Sequence, residues 1–157
     1  GGEFGQWVQA ALHASLRVIN GVSGTIGGGL AYGMGAQIAR PDALVIACMG
    51  DGTIGFHLGE YETAAREGLP VVTLIGNDHR WNAEYQIQVR EFGLERAYAC
   101  ELSDAKYGEA VSALGGYGAD IDEVSTLTAR LRDAINHRTV ACLNVAIDPV
   151  AYSRGAK

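Results

Sequence analysis

Three continuous apolar runs punctuate the chain: ALVIACM (Ala43 to Met49), PVVTLIG (Pro70 to Gly76) and TVACLNVAI (Thr139 to Ile147). Runs of this length, rich in β-branched residues, are the pattern of parallel strands covered on both faces. Around them, apolar residues recur at helical spacing. FGQWVQAALHA (Phe4 to Ala14) predicts a helix, followed by a glycine-rich loop that holds Gly21, Gly24, Gly27, Gly28 and Gly29. LAYGMGAQIAR (Leu30 to Arg40) predicts a helix stopped by Pro41, with Gly33 and Gly35 allowing close packing on a sheet. A short helix is expected from Glu60 to Glu67, ending near Gly68 and Pro70. Ser103 to Leu114 opens with a good cap, and Asp122 to Asn136 places Val124, Leu127, Leu131 and Ile135 on one face, so both read as amphipathic helices. Between the first two strands GDGTIG reads as a loop, and Asn77 begins another. Strands alternating with helices imply βαβ crossovers. The expected class is α/β, a three-layer αβα arrangement with a parallel sheet and helices on both faces.

Composition narrows this picture. A chain of 157 residues that is 48% hydrophobic and 19% charged fits one globular domain over 1–157. The formal charge of -6, with 12 Lys and Arg scattered rather than gathered, argues against nucleic acid as a partner. Cys48, Cys100 and Cys142 are odd in number and form no CxxC pair, so they read as buried packing groups in a reducing cytoplasm. No run reaches the roughly 18 apolar residues of a membrane span, and no basic-then-apolar leader opens the chain. The first residue is Gly1 and not Met, which raises the expectation of a piece or processed subunit of a larger enzyme.

Two acidic residues stand just past two of the strands, Asp51 in Gly50-Asp51-Gly52-Thr53 and Asp78 after Asn77. In an open parallel sheet, ligands bind beyond the carboxyl ends of the strands, and these are the ends in question. Two carboxylates converging there are costly without a cation. Mg²⁺ takes oxygen ligands and keeps phosphate oxygens in its shell; Gly50 and Gly52 leave bare backbone for a phosphate, and Thr53 supplies a hydroxyl. The residues taken alone suggest a metal-bridged diphosphate. The alternative, Asp as a loop cap bonding nearby N–H groups, is weakened by the full spacing.

That spacing carries a resemblance. GDG, a helix, a Pro-led apolar strand and the Asn77-Asp78 tip, preceded by SGTIGGGLAYGMGAQIARPDALVIACM, resemble the cofactor domain of thiamine diphosphate-dependent enzymes over most of Ser23 to Asn82. The group most resembled is that of acetolactate synthase, benzaldehyde lyase and 2-hydroxyacyl-CoA lyase. The resemblance implies the thiamine diphosphate-binding fold and thiamine diphosphate with Mg²⁺ as cofactors. It implies Asp51, Asp78 and the Arg80 backbone carbonyl as metal ligands, with Gly50, Gly52, Thr53 and Asn77 around the diphosphate. In SGTIG it implies the Gly24 carbonyl and the Ile26 N–H, flanking Thr25, at the cofactor's pyrimidine, and the Ile26 side chain as the wedge that keeps the cofactor bent. The glutamate that activates the pyrimidine belongs, in such enzymes, to a separate pyrimidine-binding domain. That domain, a small 2-oxo acid or acyl substrate, and self-association are the expected partners, and no catalytic residue is assigned within this chain.

Two departures sharpen these expectations. Asp78 stands where Asn is common; one extra negative charge at roughly 4 Å and an effective dielectric near 20 is on the order of 4 kcal/mol, so metal dependence should be strict. Ile87 stands where acetolactate synthases place Trp, which argues against true acetolactate synthesis and leaves Trp81, Asn82, Ala83, Tyr85 and Ile87 to line the substrate side. His57 and His79 lie near the same end and read as surface or hydrogen-bonding residues, with assistance in proton transfer as the weaker alternative. The competing functions are a non-catalytic diphosphate-binding regulatory or assembly module, and a flavodoxin-like or nucleotide-binding domain, the latter disfavoured because no GxGxxG follows a strand.

Overall fold

The computed structural model describes residues 13–18 and 25–149. The helix expected over 4–14 lies outside them except for His13 and Ala14, which are irregular, and Gly21 and Gly24 also lie outside. The described chain runs α1 (Gly29–Ala39), β1 (Ile46–Gly50), α2 (Asp51–Ile54), a 3-10 turn (Gly55–His57), α3 (Glu60–Arg66) and β2 (Val72–Asn77). It continues through α4 (Asn82–Phe92), a second 3-10 turn (Leu94–Arg96), α5 (Tyr107–Ala113), β3 (Tyr117–Ile121), α6 (Val124–His137) and β4 (Ala141–Ala146). The four strands are all parallel, in the order β1-β2-β4-β3. No described helix is long and apolar enough to cross a membrane.

Alternation along each strand divides the core in two. Ile75 and Cys142 face Leu30 of α1, Tyr61 and Ala64 of α3 and Val111 of α5. Val72, Ala141, Leu143 and Val145 face the other way, onto Ala134, Leu127 and Leu131 of α6. Helices therefore cover both faces, and the expected three-layer αβα class is the one observed. The apolar stripe of α6 runs through Leu127, Leu131 and Ala134, whereas Val124 is 79% exposed and Ile135 is 38% exposed, so the face read from the sequence is rotated. One polar chain crosses the first core layer. Thr73 Oγ1 donates to the Ala141 carbonyl at 2.9 Å, which leaves Tyr61 as the donor in its 2.6 Å bond to Thr73. Burial pushes the thiol of Cys48 up to about 11 and that of Cys142 up to about 12, so both stay protonated as packing groups.

Four local readings change. GDGTIG is no loop: Gly50 ends β1 and Asp51 begins α2 without an intervening residue. The helix expected from Ser103 starts at Tyr107, because Leu102 N–H donates to the His79 carbonyl at 2.8 Å and Trp81 N–H to the Cys100 carbonyl at 2.7 Å, holding 100–102 extended. Its cap comes from the strand beneath it: the Asp120 carboxylate of β3 accepts the N–H of Gly108 and of Glu109, each at 3.2 Å. Helix α4 and strand β3 are elements that the apolar pattern does not predict.

Close approach of α5 to β3 explains the glycines there. A Cβ at Gly118 would stand 1.8 Å from the Gly108 carbonyl oxygen, and one at Gly33 would stand 2.8 Å from Val71 Cγ1, while nothing lies within 4 Å of Gly35. Gly33 therefore packs on the sheet as expected, and Gly35 does not. Gly118→Ala should destabilise the chain by about 3 kcal/mol or more, since backbone cannot yield without lifting α5. Gly35→Ala, exposed within a helix, should stabilise it by about 1 kcal/mol. Urea denaturation midpoints of the two variants check both signs; a neutral Gly118→Ala would contradict the packing described.

Candidate functional site

Strands β1 and β2 are hydrogen-bonded neighbours in a register that sets Gly50 opposite Gly76. Asp51 and Asp78 therefore leave the same end of the sheet side by side. The Asp51 carboxylate is buried and accepts two backbone N–H groups, from Gly52 at 2.8 Å and from Arg80 at 3.1 Å. Burial nevertheless raises its pKa above the ordinary carboxylate value, against the opposing pull of those bonds. Asp78 is raised as well, first by burial and then by the charge of Asp51. Smaller opposing pulls, from His79 on Asp51 and from Arg80 on Asp78, leave the net shift of both carboxyls upward. Among the described residues no three His, Cys, Asp or Glu side chains converge as a metal cluster, so a cation here would rest on two carboxylates and backbone oxygen.

The tip that carries Asp78 is fixed by its neighbours. Asn77, buried at the end of β2, accepts the His79 N–H through Oδ1 at 3.1 Å. His79 itself has φ 55°, an uncommon conformation for a residue with a side chain, and it turns the chain back into the crevice. Arg80 follows, its guanidinium 4.2 Å over the Tyr85 ring and 3.6 Å from Glu101. His79 meets Ser103 and Asp104.

On the other strand, Thr53 is buried in α2, directly after Asp51 and Gly52. The bare face of Gly52 is filled by Trp81, whose ring carbons would lie 2.5 to 2.7 Å from a Cβ there. Trp81 in turn meets Phe56 edge-on, with centroids 6.0 Å apart. Phe56 and His57 press on Gly27: a Cβ there would stand 2.9 Å from Phe56 Cβ, and His57 Nδ1 lies 3.1 Å from the Gly27 carbonyl. Gly27 has φ 96°, which a side chain would strain. Thr25 and Ile26 precede it on the exposed approach to α1, Ile26 at 37% exposure, and Gly24 lies outside the described residues. Ile87, on α4, is 48% exposed, while Tyr85 sits beneath Arg80.

Residues that the sequence does not single out also belong to this end. Tyr107, at the start of α5, has its pKa raised by burial and then by the charge of Asp51, 56 positions away in sequence. The Asp120 and Asn144 pair, 2.6 Å apart, holds the helix that delivers it. No local spacing signals either contact, because each is made by strand order. Trp81 as the cover of Gly52 likewise leaves no sequence signal.

Known proteins place the chain. The family described as thiamine pyrophosphate enzyme, C-terminal TPP binding domain, matches residues 1–145. The acetolactate synthase large subunit IlvG of Mycobacterium tuberculosis is 33% identical over 158 aligned residues, which cover 98% of this chain and 28% of that protein. The 2-hydroxyacyl-CoA lyase 2 of Caenorhabditis elegans is 36% identical over 142 residues, 87% of this chain and 22% of that protein. The chain thus spans about a quarter of the length of these relatives. Among solved structures, the thiamine diphosphate-dependent 4-hydroxybenzoylformate decarboxylase of Rhodococcus jostii RHA1 matches in fold, with a TM-score of 0.75 and 22% identity over 83% of this chain and 24% of that one. The parallel sheet and the family match over 1–145 agree, and the chain belongs to the thiamine pyrophosphate enzymes, as their C-terminal TPP-binding domain.

Proposed function

We propose that this chain holds thiamine diphosphate through Mg²⁺ and forms one half of the active site of a lyase, carboligase or decarboxylase. Its substrates would be 2-oxo or 2-hydroxyacyl compounds. The observation that carries the reading is the placement of Asp51 and Asp78 on adjacent strand ends, both raised in pKa and with no cationic side chain bonded to either carboxylate among the described residues. A hard divalent ion is the group whose charge and oxygen preference fit that pair. Asp51, Asp78 and the Arg80 carbonyl would hold it.

When bound, thiamine diphosphate supplies a nucleophilic carbon and an electron sink for breaking or making the bond next to a carbonyl. The chain's own residues have narrower tasks. Asp51 and Asp78 bind the cation that neutralises the diphosphate, the start of α2 with Gly52 and Thr53 takes the phosphate end, and Ile26 holds the ring pair bent. The activating glutamate would come from a pyrimidine-binding domain, of the same polypeptide or of a partner chain. Glu60 and Glu62 open α3 and take no such part.

Calorimetric titration with thiamine diphosphate tests the reading. Binding should require Mg²⁺, fall by at least about 100-fold in Asp51→Ala, and become less dependent on the metal in Asp78→Asn. If the chain binds nothing while a longer chain that includes a pyrimidine domain binds, the reading holds; failure of both overturns it.

The raised pKa values carry a second expectation, for the metal-free chain. A carboxyl whose folded pKa lies above its unfolded value contributes stability that is full below the unfolded value, near 3.8, and is lost as pH rises through the folded one. The difference in denaturation midpoint between wild type and Asp78→Asn should therefore grow in favour of the variant as pH rises above about 4. Mg²⁺ should raise the wild-type midpoint at pH 7 and have little effect at pH 4. A pH-independent difference would contradict the charge imbalance.

A further inference from the structure

The 3-10 turn after α2 touches both arms of the crevice. On one side Phe56 meets Trp81 edge-on, and Trp81 covers Gly52 beside Asp51. On the other, Phe56 and His57 seat Gly27, the residue after Ile26. The His57 contact has a definite polarity. A carbonyl oxygen only accepts, so the 3.1 Å contact with Gly27 requires a proton on Nδ1 of His57. That bond joins residues 30 positions apart in sequence. It adds a directed polar tie to the van der Waals seat of Gly27 on the same turn.

We propose that His57 is a positioning residue: its Nδ1–H holds the Gly27 carbonyl, and through it sets the Ile26 wedge at a fixed height above the diphosphate end. The inference rests on the cofactor reading given above and adds a residue to it. The bond acts on one half of the ligand only. Ile26 meets the ring pair, while Asp51, Asp78 and α2 meet the diphosphate, so loosening 25–28 weakens what contacts the rings and leaves the metal end intact. Side-chain geometry adds a specific consequence. Nδ2 of Asn stands the same number of bonds from Cα as Nδ1 of His, whereas the amide of Gln is one carbon farther out, at the reach of Nε2. Asn can make the Gly27 bond and Gln cannot without displacing the turn.

The test compares His57→Ala, His57→Gln and His57→Asn in the full chain by two independent readouts. Amide hydrogen exchange, followed by mass spectrometry on a peptide spanning 25–34, should be at least about tenfold faster in the Ala and Gln variants and near wild type in the Asn variant. Titration with thiamine diphosphate and, separately, with inorganic diphosphate, both with Mg²⁺, should show about a tenfold loss for the first ligand only, again restored by Asn. Gly27→Ala attacks the same seat from the other side and should reproduce the selective loss. Unchanged exchange in His57→Ala would overturn the proposal, as would equal weakening of both ligands or an Asn variant no better than Ala. If wild type binds neither ligand, the titrations move to the longer chain that includes a pyrimidine domain, whose failure to bind overturns the cofactor reading, and the exchange comparison on this chain still decides whether His57 holds the loop.

Discussion

The Asp51 carboxylate accepts one N–H from its own neighbour, Gly52, and another from Arg80, on the tip of the next strand. That second bond joins the two halves of the crevice, and it exists only because β1 and β2 pair in parallel with Gly50 opposite Gly76. Slip the register by one residue and the side chains of a strand exchange faces. Ile75 would then leave the core it shares with Leu30 and Tyr61, and Asp78 would no longer stand beside Asp51. The register is thus enforced by apolar burial on both faces. Chemistry at the strand ends inherits its precision from the core beneath.

The far side of the crevice is set by a different contact. Gly108 and Gly118 bring α5 against β3 at backbone distance, and only at that distance can Asp120 reach the N–H groups of Gly108 and Glu109. Asn144, on the neighbouring β4, holds Asp120 in turn. A helix of seven residues has little stability of its own, so this cap and the packing of Val111 decide where it begins. Because the helix begins at Tyr107, that side chain is carried toward Asp51 and into its field.

What is legible in the sequence follows the same division. ALVIACM and PVVTLIG are readable as buried strands because both faces are covered, and continuous apolar runs say so directly. The strand from Tyr117 to Ile121 is hidden by Gly118 and Asp120, which are there for α5 and break the apolar pattern. Helix α4 buries no residue fully and so shows no apolar stripe. Its end is anchored by Gln88, which accepts Tyr98 N–H and donates to Cys100. In the site, Asp51 and Asp78 can be paired from the sequence because a motif fixes their spacing. The seat of Gly27 on Phe56 and His57 cannot, since a contact across 30 residues leaves no periodicity in either segment.

Charge supplies the last step. Two neighbouring carboxylates raised by burial oppose the approach of any anion, and a diphosphate is among the least welcome. On the proposed reading, the cation must therefore be in place before or together with the diphosphate. Asp78 makes this order stricter than a neutral amide would, because it leaves one more negative charge to be balanced. The packing from Asp51 through Gly52, Trp81 and Phe56 to Gly27 then gives the order a structural meaning. Neutralising the strand ends lowers the cost of bringing Asp78 and its tip close to Asp51. Trp81 follows that tip by three residues, so a tip held firmly is also a firm wall for the turn that carries His57.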